Sequence, residues 1–131
     1  MKLADQLCSI EQGRKLKELG IIQGKSLFCY CCVMPDPTGE KYYFDIFHRD
    51  DPDQTLIEAI FDLFTISELL LMSPYGIRLE KSLNTKRYYC YDLKQDGMVS
   101  HETAAIACTD KLIELIEAKR LNIEEINGYL I

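Results

Sequence analysis

The chain predicts an α+β fold: two antiparallel β-hairpins forming a sheet of about four strands, with helices packed mainly on one face. Three observations lead there. Short apolar and aromatic segments come in pairs, 26–33 with 41–48 and 77–83 with 86–93, each pair split by turn residues. Helix-opening boxes stand at Ser9, Asp51, Thr65 and Asn122, each with Gln or Glu three residues on. Strands that arrive as hairpins, rather than alternating with single helices, leave the helices segregated from an antiparallel sheet.

Taken in order, Ser9 with Gln12 caps a first helix whose inward positions are Leu16 and Leu19. Arg14, Lys15 and Lys17 stay in water, and Gly20 supplies the left-handed stop. The first strand spans 26–33. Residues 34–39, Met-Pro-Asp-Pro-Thr-Gly, form a loop because two prolines and a glycine prevent a continuing ladder. The second strand, 41–48, returns with Tyr42, Phe44 and Ile46 on one face.

Asp51-Pro52 then opens a core helix whose stripe is Leu56, Ile57, Ile60, Phe61 and Phe64. Thr65 with Glu68 opens a shorter helix in tandem with it, ended by Pro74. The second hairpin turns at Asn84-Thr85, and Asp96-Gly97 makes the next break. Ser100 caps the longest helix, 101–120, with Ala105, Cys108, Leu112, Leu115 and Ile116 inward. Asn122 starts a final short helix. Neither a repeat nor a linker interrupts the 131 residues, so residues 1–131 read as one globular domain.

The composition is that of an ordinary soluble chain, with no apolar run near the roughly 18 residues of a membrane span. The first residues carry no hydrophobic leader, so the expected location is cytoplasmic, away from membranes. A net charge of −6 argues against general nucleic-acid affinity. The charge is uneven. Residues 28–73 carry nine acidic and two basic groups, whereas 1–27 carry five basic and three acidic.

The six cysteines, Cys8, Cys29, Cys31, Cys32, Cys90 and Cys108, sit among apolar neighbours and read as small buried hydrophobes. Their spacing, and that of His48 and His101, is not that of a zinc site. The run His48-Arg49-Asp50-Asp51-Pro52-Asp53 concentrates carboxylates, but helix capping accounts for them better than a cation does. No phosphate-binding glycine loop or serine elbow appears. Neither a cofactor nor a catalytic or metal-binding residue is expected.

The one basic, aromatic segment is the hairpin 78–94, where Lys81, Lys86, Arg87 and Tyr88 are the candidate nucleic-acid contacts, with Tyr89 and Tyr91 beside them. The run Glu11 to Gly20 has the form of the first half of a helix-turn-helix, but a strand follows the glycine where a recognition helix is required.

Cys8-Ser9-Ile10-Glu11-Gln12, Lys15-Leu16-Lys17-Glu18-Leu19-Gly20 and Ser26-Leu27-Phe28 resemble short uncharacterised proteins of prophage-like and mobile regions in gut bacteria. Phe64 to Leu69 and Lys111 to Leu115 are similar to later segments of that group. The resemblance covers about a third of the chain and implies a phage-related origin, with no activity or site residue to transfer. The expected function is therefore non-enzymatic: binding of a protein partner, or self-association. A nucleic-acid-binding module using the basic hairpin is the alternative, and a metal- or thiol-dependent enzyme the third reading.

Overall fold

The computed structural model describes residues 3–33, 43–49, 57–72, 77–92 and 98–130. After a 3-10 turn at Leu3–Gln6 come α1 (Ile10–Glu18), β1 (Phe28–Val33), β2 (Tyr43–His48) and β3 (Ile57–Leu63). Then follow α2 (Ile66–Met72), β4 (Ile77–Lys81), β5 (Tyr88–Asp92), β6 (Met98–His101), α3 (Ala104–Glu117) and α4 (Ile123–Tyr129).

The α+β class holds, and so do both antiparallel hairpins, β1–β2 and β4–β5. The single sheet of four strands does not. Each hairpin gains a third antiparallel strand, giving two sheets with strand orders β2-β1-β3 and β4-β5-β6.

The third strand of the first sheet lies where a helix was expected. Residues 57–63 form β3, antiparallel to β1, so the tandem-helix reading fails and α2 stands alone after it. The residues permit both structures. Ile57, Ala59, Phe61 and Leu63 alternate with Glu58 and Asp62 at the strand period, while the same residues also supply a helical stripe. Only Ile60 breaks the alternation, and there the register slips: Tyr30 faces Phe61 and Cys31 faces Ala59, leaving Ile60 as the extra residue of a bulge. The Asp51-Pro52 cap lies outside the described residues, as do the 34–39 loop, Tyr42, Pro74 and the Asp96-Gly97 break.

The second sheet gains β6 by taking Ser100 and His101 away from the expected helix. Those residues pair with Tyr89 and Tyr88, and the N-cap moves to Thr103, whose hydroxyl accepts the Ile106 N–H at 3.4 Å. The expected inward face of α3 is retained: Ala105, Cys108, Leu112, Leu115 and Ile116 are all buried. The β4–β5 connection is also wider than a two-residue turn. Ser82 donates its N–H to the Arg87 carbonyl, and Lys86 takes up a left-handed φ of 58°.

The local signals at the other helix starts hold. Ser9 and Gln12 form a reciprocal capping box, Gly20 has φ 103°, and Asn122 caps α4. Thr65 and Glu68 exchange backbone N–H bonds to each other's side chains.

The main core lies where α3 packs on β5 and β6, with Leu16, Leu69, Met72 and Ile126 closing it from the helices and Phe64 from the β3–α2 junction. A second cluster, Leu7, Cys8, Phe61 and Leu63, lines one face of the first sheet beside Phe28, Tyr30 and Ile46. Gln12 links the two regions. It is buried, its amide donates to Ile106 O and Asp110 Oδ1, and α1 is thereby tied to α3.

Candidate functional site

The chemistry-bearing residues gather in two places, and the charged hairpin is the first. Lys81, Lys86 and Tyr88 come together as expected, lining a cavity of about 340 Å³ with Asp5, Glu102, Thr103 and Ala104. Arg87 does not join them. Its guanidinium turns across the sheet to donate to Ser100 O at 3.1 Å and Ser100 Oγ at 3.4 Å, fastening β5 to β6. The Lys81 ammonium lies 5.3 Å over the Tyr88 ring, and Tyr89 shares a hydrogen bond with Thr85. Arg78 is engaged by Glu80 at 3.1 Å and stands 5.9 Å over Tyr91. The tyrosine rings therefore serve the hairpin's own cations. Among the described residues, the cavity that holds Lys81 and Lys86 also holds two carboxylates, Asp5 and Glu102.

The second place was not found from the sequence. A groove of about 610 Å³ opens on the first sheet, lined by Arg14, Lys17, Glu18, Tyr30, Phe44, Ile60 and Phe61. Alternation puts Tyr30, Phe44 and Phe61 on one face of three different strands. The rings stack: Tyr30 is 5.7 Å from Phe44 and 5.1 Å from Phe61, with interplanar angles of 17° and 28°. Phe61 is buried at the inner end, whereas Phe44 leaves 56% of its surface in water at the sheet edge.

Helix α1 supplies the cationic wall. It approaches β3 so closely that a side chain at Gly13 would meet the Asp62 carbonyl at 2.8 Å. That contact carries Arg14 and Lys17, one turn apart on the helix, to the rim. The Arg14 guanidinium sits 5.8 Å over the Phe61 ring. Lys17 donates to the Ile60 carbonyl at 2.8 Å, at the bulge residue of β3.

A buried carboxylate fixes the end of β3 that bears this wall. Asp62 is fully buried, and its Oδ2 accepts the N–H groups of Gly24, Lys25 and Ser26 at 2.9, 3.0 and 3.2 Å. Its Oδ1 takes the Arg49 guanidinium, whose Nε donates to Ser26 O. Asp62 N–H donates in turn to Gln23 Oε1. Arg49 thus works as a structural pair for Asp62. His48 makes an edge-to-face contact with Phe28, and Asp50, Asp51 and Asp53 fall outside the described residues.

The outer edge of the first sheet carries a carboxylate. Asp45 on β2 accepts the Ile46 N–H at 2.8 Å, so a carboxylate occupies a backbone donor on the strand at the sheet's margin.

Five of the six thiols are buried, and Cys32 is half-buried. Cys29 and Cys31 share the opposite face of β1, with their sulfurs 3.0 Å apart, and both are buried. Burial pushes the Cys8 and Cys31 thiols up to about 12, and the hydrogen bond to Cys108 raises Cys90 further. Thiols held protonated in this way are poor nucleophiles. Among the described residues, no group of three or more His, Cys, Asp or Glu is placed to hold a metal ion. No helix among them is long and apolar enough to cross a membrane.

No family model matches the chain, and searches of curated proteins and of solved structures return no match.

Proposed function

We propose that this protein is a non-enzymatic binding module that captures an acidic, aromatic-bearing segment of a partner protein in the groove of the first sheet. One observation carries the reading. A half-exposed ring, Phe44, heads a stack of three aromatics in a groove whose lining includes two cations, one of them over Phe61, on a chain whose net charge is −6. Aromatic anchors beside arginine are the residue types that concentrate binding energy at protein interfaces. Carboxylates on the partner would meet Arg14 and Lys17, while its ring or aliphatic side chain would extend the stack at Phe44. The overall acidity, together with Glu18 on the same rim, favours a peptide carrying a few carboxylates over the dense charge of a nucleic acid.

Selection from a displayed library of random dodecapeptides tests this. Enriched peptides are expected to pair Asp or Glu with an aromatic residue. Their binding should weaken at least about tenfold, or about 1.4 kcal/mol, with Phe44→Ala and again with Arg14→Glu. Neither side chain is buried, so both variants should keep the wild-type circular dichroism spectrum. Peptides without an acidic bias, or peptides that bind the two variants as well as wild type, would refute the reading. Tighter binding to random single-stranded DNA, with a steep salt dependence lost in the same variants, would replace it with the nucleic-acid alternative.

A further inference from the structure

Away from the groove, the cavity beside the β4–β5 turn carries an unusual set of charges. Its walls come from three separate segments. Asp5 belongs to the N-terminal 3-10 turn, and Lys81 and Tyr88 flank the β4–β5 connection that holds Lys86. Glu102 and Thr103 lie between β6 and α3. The lining thus holds two ammonium and two carboxylate groups in about 340 Å³, near the lower end of small-ligand site volumes.

Opposite charges that share so small a hollow would ordinarily close on one another. Here they do not. Among the described residues, no salt bridge joins Asp5 or Glu102 to Lys81 or Lys86. One contact places the Lys81 ammonium, and the turn fixes the backbone from which Lys86 projects. Lys81 is drawn over the Tyr88 ring at 5.3 Å, and Lys86 projects from a left-handed backbone position, φ 58°, that a lysine rarely occupies. The Lys86 N–H is tied to Ser82 O at 2.9 Å, which secures that conformation. Tyr88 and Ala104 add apolar surface between the charged ends.

We infer that this cavity binds a small zwitterion of amino-acid to dipeptide size. The ligand's carboxylate would lie between Lys81 and Lys86, its ammonium toward Asp5 and Glu102, and its aliphatic stem against Tyr88. A purely anionic ligand would leave the two carboxylates facing it, and a purely cationic one would leave the two lysines. Only a ligand with both charges satisfies the whole lining. The inference stands apart from the groove on the first sheet, and either can fail alone.

Glycylglycine is a suitable probe, with N-acetylglycylglycine lacking the ammonium and glycylglycinamide lacking the carboxylate as matched controls. Each is titrated into the full-length, ¹⁵N-labelled protein while the backbone amide spectrum is recorded. Glycylglycine should give saturable shifts centred on Lys86, Thr103 and Ala104, and bind about fivefold tighter than either blocked form, as partly exposed charge pairs allow. Glu102→Gln should weaken only the preference over the acetylated peptide, and Lys86→Met only the preference over the amide. The spectra themselves report that the variants remain folded. Equal binding of all three peptides, preference for a blocked form, saturable shifts centred elsewhere, or no saturable shift would each overturn the inference.

Discussion

Removing the Asp62 carboxylate is the sharpest test of how the first sheet is held. The fully buried side chain satisfies three consecutive amides, Gly24, Lys25 and Ser26, and pairs with Arg49. These interactions are unequal. Gly24 and Lys25 are both exposed, so water can replace the carboxylate there at little cost. Ser26 is buried at 2% exposure, and its orphaned N–H should cost about 1–3 kcal/mol. The Arg49 side chain is 30% exposed, which lets it recover part of its hydration and keeps its loss below that of a fully buried ion. Adding the vacated space, Asp62→Ala should destabilise the fold by about 3–5 kcal/mol, a large share of the roughly 5–15 kcal/mol typical of a domain. Asp62→Asn preserves volume and one acceptor but removes the charge, and should cost about half as much. Urea denaturation followed by circular dichroism gives both values, and an Arg49→Met, Asp62→Asn double-mutant cycle isolates the pair. The cycle should show a coupling of about 1–3 kcal/mol. An Asp62→Ala cost below about 1 kcal/mol would refute the lock, because it would place the variant among ordinary surface substitutions.

Two further outcomes follow from the same region. Gly13→Ala should lower stability by about 1–3 kcal/mol despite the better helix propensity of alanine. The new Cβ would lie 2.8 Å from the Asp62 carbonyl and 2.9 Å from Leu63 Cδ2, so a rise in melting temperature would contradict the close approach of α1. The protein should also lose stability above pH 9. Cys8 is held protonated to about 12 by burial, whereas its unfolded thiol ionises near 9.0. Below pH 9 the group is neutral in both states and contributes no pH dependence. Between pH 9 and 12 the unfolded state sheds the proton first, and unfolding is favoured by up to about 1.4 kcal/mol per pH unit. Cys31 and Cys90, also raised, act in the same direction, so Cys8→Ala should lessen that slope in denaturation curves taken across the window, and an unchanged slope would exclude Cys8 as a contributor.

The elements legible in the sequence were those specified by neighbours in the chain. The Ser9–Gln12 and Thr65–Glu68 boxes are local chemistry, and Asn122 likewise caps α4 as expected. β6 was not legible, because Met98–His101 becomes a strand only by pairing with β5, and nothing in four residues records that partner. β3 was misread for a different reason. The apolar residues of 57–63 satisfy the periods of 2 and 3.6 together, and Ile60, apolar where strict alternation requires a polar residue, favours the helical reading until the bulge accommodates it. The candidate groove was hidden with it. Tyr30, Phe44 and Phe61 lie far apart in sequence, and only the register of a three-stranded sheet brings their rings into one stack. The hairpin cluster was legible for Lys81, Lys86 and Tyr88, which share a cavity. Arg87 does not line that cavity, because its guanidinium donates to Ser100 on the unforeseen β6.

β3 is thus the element on which the groove depends, and it serves both structure and proposed binding through different residues. Asp62 and the backbone facing Gly13 fix where α1 and the 23–26 loop meet the sheet. Ile60 is released from regular pairing by the bulge, and its carbonyl receives the Lys17 ammonium. Phe61 then presents the ring beneath Arg14 and beside Tyr30. A helix over the same residues would turn Ile60, Phe61 and Asp62 about 100° apart, and could not offer the ring to the groove and the carboxylate to the opposite loop at once. A strand does this directly, because successive side chains point to opposite faces. The buried carboxylate and the aromatic stack are therefore two consequences of one alternation. Substitutions that test binding belong at Phe44 and Arg14, where the side chain faces solvent, and those that test the scaffold belong at Gly13 and Asp62, where it does not.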